Sequence, residues 1–184
     1  MTAPAGASAT ARRRALLLDR DGTLIVDVGY PRDPASVVAM PGAIDALREL
    51  QHRFALVIIS NQSGLGRGRI TAAEAQAVHH RVLELFGQGG VTFAGAYYCP
   101  HGPDDGCRCR KPAPGLVLDA ARELGLELAT SVMLGDKPSD VAAGLAAGCG
   151  RALLFGSAGA LDDAARCADW AAVVRTLGSA SGER

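Results

Sequence analysis

Asp19 and Asp21 stand two residues apart in Asp19-Arg-Asp-Gly-Thr23, directly after the apolar run Ala15-Leu-Leu-Leu18. In extended chain, residues i and i+2 share a face, so both carboxylates can meet one ligand. Gly22 permits the sharp departure that such a pair at a strand end needs. One carboxylate can then be a nucleophile and the other a proton donor to the leaving group, provided their pKa values are held apart. Taken alone, the D-x-D-G pattern also suits a Ca2+ loop or an Asx turn. Another acidic pair follows another apolar run, in Gly135-Asp-Lys-Pro-Ser-Asp140. Asp19, Asp136 and a main-chain carbonyl near Asp21 form the hard-oxygen set that Mg2+ prefers. Ser60 and the amides after it can donate to phosphoryl oxygens, and Lys111 brings positive charge. A phosphate dianion approaching Asp19 and Asp136 is repelled unless Mg2+ and Lys111 offset that charge. An acid role for Asp21 requires its pKa to be raised.

A different chemistry is written in the cysteines. Cys99, Cys107 and Cys109 fall close together with His101 among them, while Cys149 and Cys167 stand apart. One His and three Cys match the tetrahedral shell of structural Zn2+, which four protein ligands close. The loop carries Asp104-Asp105 and no apolar face, so metal rather than burial must order it. Arg110 and Lys111 directly follow Cys109, and the metal should fix both. The alternatives are a disulfide or idle thiols. An odd count of five cysteines and no export signal speak against a disulfide framework and suit a reducing compartment, the cytoplasm. Cys149 and Cys167 read as buried small hydrophobes, and His52, His79 and His80 as helix-surface residues.

These residues need a scaffold that gathers them. Short apolar runs at Ala15–Leu18, Phe54–Ile59, Phe93–Tyr98, Ser131–Leu134 and Arg151–Phe155 predict buried strands. Helical patterns alternate with them. One opens at Pro41-Gly42 with Ile44, Leu47 and Leu50 on one face. One runs from Ala72 to Phe86 behind a Thr71/Glu74 capping box. Others run from Pro114 to Leu124, from Pro138 to near Gly148, and from Trp170 to Leu177. Ser60–Gly68 reads as a polar loop whose Gly64, Gly66 and Gly68 are either a phosphate cradle or plain loop glycines. The alternation predicts an α/β fold with a mainly parallel sheet and helices on both faces. In such sheets ligands bind outside the carboxyl ends of the strands, and Asp19, Asp21, Ser60, Asn61, Gln62, Cys99, Asp136 and Lys137 all fall there.

The 184 residues suit one domain, expected over 14–178 between disordered tails 1–13 and 179–184. Nineteen Lys+Arg balance nineteen Asp+Glu, which disfavours a general nucleic-acid binder. No apolar run is long enough to span a membrane. The Arg12–Arg14 cluster reads as a solvated part of the tail. No surplus apolar stripe asks for a second copy, so a monomer is expected.

Asp19-Arg-Asp-Gly-Thr23, Ser60-Asn-Gln-Ser-Gly64, Lys111-Pro112 and Gly135-Asp-Lys-Pro-Ser-Asp140 resemble the four ordered motifs of the haloacid dehalogenase superfamily of phosphatases. Asp27-Val-Gly-Tyr30, Tyr97-Tyr-Cys-Pro-His101 and Cys109-Arg-Lys-Pro-Ala-Pro-Gly115 are similar to those of the D-glycero-D-manno-heptose 1,7-bisphosphate 7-phosphatases. Histidinol-phosphatases are near relatives. The resemblance implies a Rossmann-like domain. It implies that Asp19 is the nucleophile and forms an aspartyl-phosphate, and that Asp21 is the acid and then the base. Asp136 would complete the Mg2+ site with Asp19 and the main chain of Asp21. Ser60 and Lys111 would stabilise the transferring phosphoryl group, with Asn61 and Gln62 beside the substrate. Arg110 would bind the rest of the substrate, Asp27, Gly29 and Tyr30 the sugar, and Lys137 the phosphate region. Asp140 would support Lys137 or the metal's waters. Val28 departs from the polar residue common at its position, which weakens sugar contacts there. The gaps between motifs leave no room for a large cap domain, so loops 24–36, 60–69 and 99–112 should set selectivity.

A small-molecule sugar bisphosphate is therefore the expected partner, with removal of its 7-phosphate the expected reaction. Histidinol phosphate is the alternative substrate, although its amine would want an acidic contact where Arg110 suits an anion. A nucleic-acid end-processing phosphatase is disfavoured by balanced charge and 4% aromatic content. A non-catalytic zinc-loop module is disfavoured by Asp19, Asp21, Lys111 and Asp136.

Overall fold

The computed structural model describes residues 13–156 and 165–178. Six strands form one parallel sheet in the order β3-β2-β1-β4-β5-β6. They are β1 (Ala15–Leu18), β2 (Ala55–Asn61), β3 (Gly95–Cys99), β4 (Val132–Gly135), β5 (Arg151–Phe155) and β6 (Ala165–Cys167). The helices are α1 (Ala43–Leu50), the single turn α2 (Ser63–Gly66), α3 (Ala72–Gln88), α4 (Gly115–Leu124), α5 (Pro138–Ala147) and α6 (Trp170–Gly178). The sequence patterns locate β1 and β5 to the residue. They miss β6, which is too short for a period, and α2, whose Ser-Gly-Leu-Gly composition reads as loop.

Period-two alternation assigns the helices to their faces. Leu16, Leu18, Leu56, Ile58, Val132 and Leu134 point into a core with Leu47 of α1, Val78, Val82 and Phe86 of α3, and Trp170 and Val173 of α6. Ala15, Leu17, Val57, Ile59 and Met133 point the other way, onto Leu116, Val117 and Ala120 of α4 and Val141 of α5. Both faces of β1 are thus sealed, which is why its four residues are all apolar. Cys149 and Cys167 are buried, one in each core, as small hydrophobes.

Local signals fix the helix ends. The Thr71 side chain accepts from the Glu74 N–H while the Glu74 carboxylate accepts from the Thr71 N–H, a complete capping box for α3. Gly125 and Gly148 close α4 and α5 in the left-handed region at φ 63° and 91°.

Arg13, placed by composition in the tail, bridges to the main body: its N–H donates to Gly125 O and its carbonyl accepts from Glu127 N. The remaining expected tail residues, 1–12 and 179–184, lie outside the described residues. Two histidines depart from the expected helix surface. His52 is exposed in the turn after α1, and His79 on α3 is half-buried with its ring against Tyr98. Among the described residues no second domain lies over the sheet edge. The connection from β1 to α1 holds only a short 3-10 turn (Pro34–Ser36), and that from β3 to α4 holds none.

Candidate active site

β1 ends the site's first segment in the middle of the sheet, between β2 and β4. The Asp19 N–H still bonds Leu134 O at 2.9 Å, so Asp19 stands at the tip of the ladder. The chain then turns sharply: Arg20 O accepts from the N–H groups of Leu24 (2.9 Å) and Ile25 (3.0 Å). Gly22 makes the turn at φ +86°, and a Cβ there would stand 2.4 Å from Asp136 Oδ2. Only glycine permits both the conformation and the approach of Asp136. Gly135 admits the close approach of Asp140, whose carboxylate would lie 2.3 Å from an added Cβ.

Lys111 is the electrostatic centre. Its Nζ donates to Asp19 Oδ1 (2.6 Å) and Ile59 O (2.7 Å), and pairs with Asp140 Oδ1 (2.7 Å), with 3% of the residue exposed. Burial pulls its pKa down, but Asp19 and Asp140 outweigh that and hold it above the ordinary lysine value. The main chain of Lys111 is fixed by Asn61, whose carboxamide donates to Lys111 O and accepts from Lys111 N, both at 3.0 Å. Both ends of that carboxamide are thus committed to Lys111.

Asp19, Asp136 and Asp140 bring carboxylate oxygens within 4.8 Å of one another, close enough to hold a metal ion. Asp140 is otherwise engaged, through Oδ1 with Lys111 and through Oδ2 with the Lys137 N–H (2.9 Å). Asp136 Oδ1 is buried without a hydrogen-bond partner. An orphaned carboxylate oxygen beside a second carboxylate is the donor set a hard divalent cation fits. Burial, with the charge of Asp19 adding to it, pushes the Asp136 carboxyl up to about 7.

Asp21 turns away from that cluster, into a wall of donors. Arg20 Nη2 lies 3.0 Å from both of its oxygens, and Gln62 Nε2 donates to Oδ2 at 2.9 Å. Burial raises its pKa against the opposing pull of the Arg20 charge, the direction an acid needs. Ser60, 1% exposed, accepts from the same Gln62 Nε2 at 2.9 Å. The sequence singles out Asp21, Ser60 and Gln62, but not Arg20, which has no signal beyond standing between two carboxylates.

A cavity of about 730 Å³ opens beside these groups. Asp21, Lys111, Asn61 and Gln62 line its base, and Asp27, Gly29, Tyr30, Arg110 and Lys137 its sides. Lys137 Nζ stands between Asp27 Oδ2 (3.5 Å) and Asp136 Oδ2 (3.8 Å), bridging rim to base. Val28 is exposed, and the Arg69 guanidinium sits over the Tyr30 ring at 5.4 Å. Gly64 and Gly66 are packing positions: added Cβ atoms would strike Tyr30 and the Pro100 carbonyl, at 2.7 and 2.8 Å.

Cys99, His101, Cys107 and Cys109 also gather ligand atoms within 4.8 Å. Five of the six edges run from 3.2 Å (His101 Nδ1 to Cys109 Sγ) to 3.6 Å (Cys99 Sγ to Cys107 Sγ). A tetrahedron with Zn–S bonds of ~2.3 Å has edges of about 3.8 Å, so the cluster could hold Zn2+ after a small expansion. Arg110 Nη1 donates to His101 O (3.3 Å), tying the cluster to the cavity wall.

Comparison with known proteins decides what this arrangement belongs to. The HAD-hydrolase-like family model matches residues 108–180. The D-glycero-beta-D-manno-heptose-1,7-bisphosphate 7-phosphatase of Yersinia pestis is 42% identical over 148 residues, 76% of this chain and 79% of the relative. This chain belongs to that phosphatase family. The enzyme of the same name from Escherichia coli (strain K12) is 39% identical over 165 residues, 85% of this chain and 86% of that one. The crystal structure of D,D-heptose 1,7-bisphosphate phosphatase from B. bronchiseptica, complexed with magnesium and phosphate, matches with a TM-score of 0.83 and 34% identity. The match covers 91% of this chain and 99% of that one. The superfamily, the heptose-bisphosphatase branch and the capless parallel architecture expected from the motifs are therefore borne out over the described residues.

Proposed function

We propose that this protein hydrolyses the 7-phosphate of D-glycero-β-D-manno-heptose 1,7-bisphosphate through an aspartyl-phosphate on Asp19. The observation that carries this reading is the pairing of two carboxylates with opposite surroundings at the tip of β1. Asp19 is held against the Lys111 ammonium in the carboxylate cluster, whereas Asp21 faces away from that cluster onto Arg20 and Gln62, where burial outweighs the Arg20 charge and raises its pKa. The carboxyl with the raised pKa is the one suited to give a proton, which leaves Asp19 as the nucleophile. The names of the relatives support the β anomer and favour heptose bisphosphate over histidinol phosphate.

Asp19 Oδ attacks phosphorus as the bond to the C7 oxygen breaks, and Asp21 passes its proton to that oxygen. Asp21, now a carboxylate, takes a proton from the water that attacks the aspartyl-phosphate and releases inorganic phosphate. Ser60 donates to the phosphoryl oxygens, and the Lys111 ammonium, anchored by Asp19, Ile59 O and Asp140, offsets their charge in a buried base. Asp19, Asp136 and the main chain of Asp21 would hold Mg2+, which supplies charge neutralisation for the carboxylates and the phosphoryl group. The residues present fit it, because Asp136 Oδ1 has no other partner.

Arg110 and Lys137 suit the second, anomeric phosphate and the sugar hydroxyls, with Asp27, Gly29 and Tyr30 on the facing wall. Cys99, His101, Cys107 and Cys109 would hold a structural Zn2+ that fixes Arg110 and Lys111. The five free thiols suit a cytoplasmic location, and the chain is proposed to act as a monomer.

The test is phosphate release with Mg2+ from the β and α anomers of the heptose bisphosphate and from histidinol phosphate, with Asp19→Asn as blank. The β anomer should give the highest kcat/KM, and the blank should fall to background. A preference for histidinol phosphate would keep the chemistry and overturn the substrate. Full activity of Asp19→Asn would overturn the chemistry.

A further inference from the structure

We propose that Arg20, acting with Gln62, is the positioning residue that fixes where the Asp21 carboxyl stands. The inference rests on the reading of Asp21 as the group that protonates the leaving oxygen.

Arg20 is 1% exposed although it follows a strand at an open sheet edge. Its guanidinium presents an edge to Asp21, with Nε 3.2 Å and Nη2 3.0 Å from both carboxylate oxygens. Nη2 also donates to Gln62 Oε1 at 3.0 Å, and Gln62 Nε2 donates onward to Asp21 Oδ2 and Ser60 Oγ. The array closes on itself: guanidinium to carboxylate, guanidinium to amide, amide back to the carboxylate and on to the phosphoryl donor. The Arg20 carbonyl is pinned as well, by Leu24 and Ile25. No domain closes over this edge among the described residues. The clamp orients Asp21 from below. A guanidinium suits the task because its planar fork sets direction as well as charge and never gives up its proton. The other flank of Arg20 borders a second cavity of about 200 Å³, with His79 and Tyr98, which gives a shorter side chain room without a steric clash.

Acid assistance matters for an alkoxide leaving group and little for a stable phenolate. A displaced Asp21 therefore slows alkyl phosphates selectively, whereas general damage slows every substrate alike. Arg20→Lys keeps the charge and loses the fork, and Gln62→Met removes the second clamp. The experiment follows the first leaving group in single turnovers with excess enzyme and saturating Mg2+. Substrates are an alkyl monophosphate and p-nitrophenyl phosphate, and Asp21→Asn is the reference. General acid catalysis contributes on the order of 10²–10⁴-fold. Arg20→Lys should lose about a hundredfold on the alkyl ester and less than about threefold on the aryl ester, with an unchanged Mg2+ requirement.

Equal loss on both esters, or none, while Asp21→Asn remains alkyl-selective, would overturn the clamp and leave the acid reading intact. An Asp21→Asn protein without that selectivity would overturn the acid reading and the clamp with it. Gln62→Met should show the same alkyl-over-aryl selectivity, superposed on a loss common to both esters because Gln62 also holds Ser60, and that ratio decides the matter if Arg20→Lys does not fold.

Discussion

Asp136 stands in the carboxylate cluster proposed to hold Mg2+. Burial, helped by the negative charge of Asp19 and Asp140 and opposed by Lys137, lifts it to about 7 in the metal-free protein. Below that pH the carboxyl holds a proton, and a cation must displace it. Mg2+ activation should therefore weaken as the pH falls through 7, by about tenfold per unit well below it, and level off above. Measuring the Mg2+ activation constant from acid to mildly alkaline pH checks this, and a constant independent of pH would contradict it. At this scale the sequence is most legible where spacing carries the signal. The two carboxylates after β1, the acidic pair after β4 and the Cys/His loop all have it. Burial carries none: Arg20 is charged and reads as exposed, and only the turn that folds its carbonyl over Leu24 and Ile25 places its head under Asp21. His79 is hidden in the same way, by Tyr98 from a strand far along the chain.

α6 shows how an element remote in sequence supports the catalytic turn. Trp170 is 1% exposed, and its Nε1 donates to Thr23 O at 3.1 Å, inside the loop that begins with Asp19. Trp170→Phe keeps most of the packing but leaves that buried carbonyl without its donor. The change should destabilise the protein by ~1–3 kcal/mol, read from urea denaturation midpoints, and should lower kcat by loosening the turn. Unchanged stability would show that the carbonyl finds another donor. The strands are legible because parallel central strands must be apolar on both faces. That rule finds β1 and β5, and it starts β2 and β3 one or two residues early, where Phe54 and Phe93 pack as flanking residues. It fails for β6, a three-residue edge strand, and for the α2 turn, whose glycines answer to Tyr30 and Pro100 rather than to any helical period.

For the whole molecule, zero formal charge conceals a strong local separation. Two buried carboxylates, Asp19 and Asp140, flank the Lys111 ammonium at the cavity base, while Arg110 and Lys137 line the walls. The Cys/His loop proposed to hold Zn2+ sets one of those walls, so its integrity should matter for substrate and not for the Mg2+ site. Metal analysis should find one Zn2+ per chain. Replacing Cys107 and Cys109 by Ser should abolish it and cut kcat/KM severely, with the Mg2+ activation constant retained. Full activity without zinc would separate the loop from catalysis.

The central claim is that Asp19 removes the phosphate from one particular end of a bisphosphate. Phosphorus NMR of the β-heptose 1,7-bisphosphate, incubated with the protein and Mg2+, tests it directly. The account predicts that the C7 monoester resonance is replaced by inorganic phosphate while the anomeric C1 phosphate persists. Loss of the anomeric resonance first, or no turnover, would contradict it.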